Sequence, residues 1–347
     1  QPIAIKPESG GPDWRACFSG CTVNNDGVPT IVYFGVYGGI CIATSNDDLV
    51  TWEKSPHNPV IPTPAGDEEY GVHDPFVWKE EDYWYLISGS NLGSPRDVGS
   101  SKDAAFMFRS RDMVNWDYMY PLYEPGEESD CATPDFFTLG KKHVLLFASH
   151  TRGIQYYVGK YSNQKFIPEN HGRMNYTSFG VQGKDMHFSG DLTTPVSWST
   201  LDGRRIMLGW ISEGRTLEEQ KIAGWAGIMS LPRALSLNEQ GLLDVEPIKE
   251  LEVLRRNLQV VRNVRIGSDS SVWLDKISGN QIELAVQFSG STTGKVGLNV
   301  CCSKDGKEKT GIIYDYSEQQ LELNVEHSSL NAEFVGNSEE LDKIVTS

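Results

Sequence analysis

Ser45-Asn46-Asp47-Asp48-Leu49-Val50-Thr51-Trp52 returns in altered form as Ser110-Arg111-Asp112-Met113-Val114-Asn115-Trp116, with the two tryptophans 64 residues apart. Each stretch follows runs rich in β-branched and aromatic residues, and each leads into a fresh stretch of turn residues. A repeat that spans one small antiparallel sheet is the sequence signature of a propeller blade. Both tryptophans are expected to pack between blades, a structural task.

Strand-like runs surround the repeat. Thr30-Ile31-Val32-Tyr33-Phe34, Tyr83-Trp84-Tyr85-Leu86-Ile87 and His143-Val144-Leu145-Leu146-Phe147 are bounded by Gly, Asp, Asn or Pro. So are Ile154-Gln155-Tyr156-Tyr157-Val158 and Arg205-Ile206-Met207-Leu208-Gly209-Trp210. Such runs read as strands. Helical periodicity is nearly absent, and one short helix is expected at Leu217 to Ile222. Near residue 245 the texture changes. Glu246 to Leu254 reads as a connector with a helical turn. Beyond it Ile282, Leu284, Val286 and Phe288 alternate with Gln281, Glu283, Ala285 and Gln287, and Lys295 to Val300 and Gly311 to Tyr316 are similar. Period-two alternation predicts half-buried antiparallel strands, as in a sandwich. The expected division is a propeller over 1–244 and a β-sandwich, itself cut short, over 245–347.

Bulk properties narrow the function. The chain has 347 residues, 39% hydrophobic and 22% charged, which suits one large all-β unit and a smaller one. No run of eighteen apolar residues occurs, so no membrane span is expected. The formal net charge of -16 repels phosphate backbones and argues against a nucleic-acid partner, but it does not repel a neutral sugar. The six cysteines, Cys17, Cys21, Cys41, Cys131, Cys301 and Cys302, form no CxxC pair and no cluster with histidine. They read as buried free thiols, not as a zinc site or a disulfide framework. Asn175-Tyr176-Thr177 fits a glycosylation acceptor. Neither oligomeric state nor compartment is readable.

Four stretches carry chemistry. They are Cys17-Phe18-Ser19-Gly20-Cys21 after Gly10-Gly11-Pro12-Asp13; His73-Asp74-Pro75-Phe76-Val77-Trp78; the acidic loop Glu127-Glu128-Ser129-Asp130-Cys131 with Ala132-Thr133-Pro134-Asp135-Phe136-Phe137; and Gly224 to Arg233. An Asp before Pro is expected in an extended or turn conformation, because the proline ring disfavours the α region for its predecessor. A propeller gathers its inner strand ends around one axis, so carboxylates from successive blades can converge there. Glycoside cleavage needs that convergence: an acid for the leaving oxygen and a carboxylate at the anomeric centre.

These stretches, in this order, resemble glycoside hydrolase family 32. Phe18-Ser19-Gly20 is similar to the family's F-S-G segment, His73-Asp74-Pro75 to R-D-P, residues 132–137 to E-C-P-D-F-F, and Gly224 to Arg233 to G-W-A-G-x-M-S-L-P-R. Pro2-Ile3-Ala4-Ile5-Lys6-Pro7 resembles the end of the first blade. The resemblance implies a five-bladed β-propeller, its first blade incomplete in this chain, with a C-terminal β-sandwich. It implies a retaining β-fructosidase acting on sucrose or fructans, with no metal and no organic cofactor. Asp74 takes the role of transition-state stabiliser. The family's acid/base falls on Ala132 in a gapless match, which leaves Asp130 as first candidate and Glu128 as second. Phe18, Ser19, His73, Asp135, Asp185 and Trp210 are implied substrate contacts. The family's nucleophile, the Asp of W-M-N-D-P-N-G, is expected upstream of Gln1, and Asp13 does not replace it. The alternatives are a sugar-binding propeller without turnover and a propeller hydrolase acting on arabinan or xylan.

Overall fold

The computed structural model describes residues 3–64, 69–89, 104–124, 131–149, 153–174, 180–182, 185–187, 192–211, 215–290, 293–330 and 339–341. The chain divides into two compact units, residues 1–246 and 247–347.

The first unit is built from sheets that follow one another along the chain. The first contains β1 (Cys17–Asn25), β2 (Val28–Gly35), β3 (Gly39–Thr44), β4 (Glu53–Lys54) and β5 (Ile61–Pro62). The second contains β6 (Pro75–Glu80), β7 (Tyr83–Gly89), β8 (Ala105–Ser110) and β9 (Trp116–Tyr123). The third contains β10 (Ala132–Leu139), β11 (Lys142–Ser149), β12 (Gly153–Ser162) and β13 (Lys165–Arg173). A two-stranded ribbon, β14 (Gly180–Gln182) and β15 (Asp185–His187), precedes the fourth sheet. That sheet contains β16 (Leu192–Ser199), β17 (Arg205–Ile211), β18 (Ile228–Met229), β19 (Arg233–Leu237) and β20 (Leu243–Pro247). Pairing is antiparallel throughout, strand beside next strand, as in propeller blades. Four blade-like sheets are thus present among the described residues, and residues 3–16 contribute no strand.

The core consists of layers between successive sheets. Along β7, Trp84 and Leu86 join Val32, Phe34 and Ile42 of the first sheet, whereas Tyr85 and Ile87 join Phe136, Leu145 and Phe147 of the third. Along β11, Leu145 and Phe147 face the second sheet, and Val144 and Leu146 face Met207 and Leu235 of the fourth. Successive residues point to opposite faces of a strand. A sheet buried on both faces therefore reads as an unbroken apolar run, which explains Tyr83 to Ile87 and Val144 to Phe147.

The repeated Ser-x-Asp segments close the sheets in the same way. Asp47 Oδ1 accepts the Thr51 amide at 2.8 Å and the Ser45 hydroxyl at 3.0 Å. Asp112 Oδ1 accepts the Asn115 amide at 2.8 Å and the Ser110 hydroxyl at 3.0 Å. Asp47, not its neighbour Asp48, is the anchor. Trp116 packs against the layer between the first two sheets, as expected. Trp52 does not: it covers the opposite face of the first sheet, with Tyr33, Cys41 and Ala43.

The expected helix is α1 (Leu217–Ala223), started by the Thr216–Glu219 capping box and stopped by Gly224 at φ 77°. The second unit opens with a 3-10 turn at Lys249–Leu254. Its described strands, β21 (Lys295–Val300), β22 (Thr310–Asp315), β23 (Gln320–Asn324) and β24 (Glu339–Leu341), form one antiparallel sheet. The alternating stretch 281–288 is not a strand. Ile282, Leu284, Val286 and Phe288 are exposed, because alternation supplies a face but a strand needs an edge to pair with. All six cysteines are free thiols, but only Cys41 and Cys131 are buried; Cys17, Cys21 and Cys302 are half-buried and Cys301 is exposed. No helix among the described residues is long and apolar enough to cross a membrane.

Candidate active site

The first strands of the four sheets, β1, β6, β10 and β16, lie beside one another in that order. Their starting ends border one cleft, lined by Ser19 and Gly20, Asp74 to Phe76, Thr133 to Asp135, and Pro195 and Val196. Three of these strands start in the same way. Asp74-Pro75, Thr133-Pro134 and Thr194-Pro195 each place a non-glycine residue in the left-handed region, at φ 35°, 45° and 45°. Of the extended and turn conformations expected before a proline, Asp74 takes a sharp bend. The positive φ falls just before β6 at Asp74 and at register shifts near the starts of β10 and β16. Such a backbone costs roughly 1–3 kcal/mol per residue and persists where its surroundings over-determine it.

Those surroundings are visible at His73 and Asp74. The Ser88 hydroxyl accepts the His73 amide at 2.7 Å and donates to the His73 carbonyl at 2.9 Å, and the Gly89 amide donates to the same carbonyl at 2.9 Å. Gly89 has to be glycine, since a Cβ there would lie 1.9 Å from the Cys131 carbonyl oxygen. Asp74 is buried, 4% exposed. Its Oδ2 lies 2.8 Å from His73 Nδ1 and accepts the Thr133 amide at 3.3 Å. Its Oδ1, like the adjacent Thr133 hydroxyl, is buried with no hydrogen-bond partner among the described residues. Phe18 and Phe34 pack on the His73 ring, with centroids 6.4 and 4.8 Å away.

Asp135 is buried one strand further on. Its Oδ2 accepts both the amide (2.7 Å) and the hydroxyl of Ser197, and its Oδ1 lies 3.5 Å from Arg205 Nη2. Arg205 also donates to the Ser197 hydroxyl and carbonyl and lies 4.1 Å over the Phe137 ring. Burial pushes the Asp135 carboxyl up to about 6, while Arg205 and Ser197 pull the other way.

The structure thus brings Ser19, Asp74 and Asp135 together at one cleft, with Phe18 and His73 beside them. Trp210 stands one strand back, on β17 opposite Thr193, and does not border the cleft. Asp185 starts β15, and its side chain lies outside the described residues, as do Asp130, Glu128 and Asn175 to Thr177. Thr133, Ser197 and Arg205 escaped the sequence reading. The recurrence of X-Pro at intervals of 59 and 61 residues was the signal that marked this ring of strand starts. Among the described residues, no three His, Cys, Asp or Glu side chains gather to hold a metal.

The model of the glycosyl hydrolases family 32 N-terminal domain matches residues 1–247, and that of the family's C-terminal domain matches residues 250–343. A sucrose-6-phosphate hydrolase of Zymomonas mobilis is 27% identical over 369 residues, covering 95% of this chain and 66% of that protein. The levanase of Bacillus subtilis is 27% identical over 313 residues, covering 83% of this chain and 42% of that protein. The structure of fructan 1-exohydrolase IIa from Cichorium intybus in complex with 1-kestose superposes with a TM-score of 0.75 at 22% identity, covering 98% of this chain and 74% of that one. The chain spans about two thirds or less of the length of these curated relatives. A β-propeller whose inner strand ends hold buried carboxylates, followed by a β-sandwich domain, places this chain in glycosyl hydrolase family 32.

Proposed function

We propose that the cleft binds a fructosyl unit and that the protein hydrolyses β-fructosidic bonds of sucrose or fructans with retention. The observation that carries this reading is the pair of buried, unpartnered oxygens at the cleft, Asp74 Oδ1 and Thr133 Oγ1. A buried oxygen without a partner costs about 1–3 kcal/mol, which a sugar hydroxyl would relieve. Asp74 keeps its other oxygen tied to His73 and to the Thr133 amide, so the free oxygen is held in a fixed direction. As positive charge builds on the fructosyl ring, a hydroxyl held by a fixed carboxylate draws closer to it. That bond strengthens in the transition state more than in the ground state. A retaining mechanism also needs a nucleophile and an acid/base carboxyl about 5–5.5 Å apart. The acid/base role goes to Asp130, with Glu128 second, and both lie outside the described residues. The relatives named for sucrose-6-phosphate and levan hydrolysis support this substrate class. Fructose release from sucrose, inulin and levan tests the proposal, and it fails if the wild type releases none or if Asp74→Ala releases as much.

A second reading, binding without turnover, is favoured by Ala132, which fills the acid/base position of a gapless match and has no proton to give. Saturable fructan binding by calorimetry without any fructose release would support it.

A further inference from the structure

Trp14 and Tyr37 lie with their rings 28° from parallel and their centroids 6.4 Å apart. Both residues are about half exposed, 55% and 50%. Their neighbours Glu8, Ser9 and Arg15 are exposed and polar. The pair is thus an aromatic island in a polar rim, unlike the wide apolar core of a protein interface.

The island is held firmly. Gly11 N donates to the Glu8 carbonyl at 2.9 Å and Trp14 N to the Gly11 carbonyl at 3.2 Å, closing the loop that presents Trp14. Beneath it Asp13 is fully buried. Its Oδ2 pairs with Lys54 Nζ at 2.6 Å and accepts the Tyr33 hydroxyl at 2.8 Å, and its Oδ1 accepts the Glu8 amide at 3.0 Å. Tyr37 sits at φ 72°, an unusual backbone for an aromatic residue. The next residue, Gly38, packs so closely on the Trp14 loop that a Cβ would lie 1.9 Å from the Pro12 carbonyl oxygen. The turn bearing Tyr37 and the loop bearing Trp14 are therefore locked together, and a strained turn holds an aromatic ring out in water.

The island is also on the cleft's side of the sheet. Cys17 pairs with Gly35, so the start of β1, which gives Ser19 and Gly20 to the cleft, lies at the same end as the β2–β3 turn that carries Tyr37. Phe18, just before Ser19 in β1, is 53% exposed, with its ring against His73. Two exposed aromatic groups thus stand at this end of the sheet, Phe18 on His73 and Trp14 beside Tyr37.

We propose that Trp14 and Tyr37 form a stacking platform for a distal sugar unit of a fructan chain whose reacting unit occupies the cleft. Sugar rings carry C–H faces that lie well on an aromatic π-surface, and a neutral polyol is not repelled by a chain of net charge -16. The proposal rests on the cleft being a fructosyl site. Calorimetry with sucrose and with a fructan of about five units tests it. Trp14→Ala and Tyr37→Ala are expected to weaken binding of the longer chain about tenfold, to leave sucrose binding within twofold, and to keep the wild-type Tm. Trp14→Phe is expected to recover most of the loss. Unchanged binding of the longer chain, or an equal loss for both sugars, overturns the platform. Failure of the cleft reading shows separately, as wild-type binding that Asp74→Ala does not weaken for either sugar.

Discussion

Asp74 on the second sheet and Thr133 on the third meet at 3.3 Å, the carboxylate Oδ2 accepting the backbone amide, and each residue bends at positive φ before a proline. One hydrogen bond thus joins two strand starts and leaves one oxygen of each side chain unused. Asn in place of Asp74 keeps an oxygen for the Thr133 amide, tolerates positive φ and removes the charge. Asp74→Asn is therefore expected to keep its Tm within a few degrees. It should lower kcat/KM for sucrose by about 10²–10³, as measured by fructose release.

The Asp135–Arg205 pair makes a pH prediction. The folded-state pKa of Asp135 is raised to about 6, above its ordinary 3.8. Between these values the folded state binds more protons than the unfolded one, so this group's contribution to stability falls as pH rises from about 4 to 6. Tm of the wild type minus that of Asp135→Asn should accordingly drop between pH 4 and pH 7. A rising difference would contradict the assignment.

Asp13 behaves in the opposite sense. Burial alone would raise its pKa, but Lys54, Tyr33, the Glu8 amide and Cys17 together hold it below the ordinary value. Its contribution is present above the unfolded-state value of 3.8 and is lost as pH falls through the folded-state value. Lys54→Met strands the buried carboxylate and is expected to cost about 3–5 kcal/mol near neutral pH. Urea unfolding at pH 7 and at pH 3 checks both the size and the shrinkage in acid.

Thr194, the third residue of β16, has φ 45° and is only half-buried. Glycine there relieves the strain and leaves no cavity. Thr194→Gly is expected to raise stability by about 1 kcal/mol, read as a higher midpoint in thermal unfolding. A lower midpoint would show that the threonine side chain contributes more than its backbone costs.

Much of this was legible in the chain. The repeat ending in Trp52 and Trp116, together with runs such as Tyr83 to Ile87, specifies sheets buried on both faces, because local composition and packing demand agree there. The stretch from Ile282 to Phe288 misled, since alternation reports a face and says nothing about a pairing edge. At Asp74 the proline left both an extended and a turn backbone open, and the Ser88 and Gly89 bonds that fix His73 come from a strand the local sequence does not name. Arg205 was read as part of a strand. Its partnership with Asp135, 70 residues earlier, depends on which blades are neighbours, and no local pattern encodes that.

The two-sided burial of β7 and β11 bears on how the ring comes together. Peeling the second or third sheet away would wet two apolar faces at once, so neither sheet is stable until both flanks are in place. The smallest cooperative unit is accordingly a run of adjacent sheets, not a single one. Amides of β7, β8 and β11, which share these layers, should be the last to exchange with deuterium, and they should do so together.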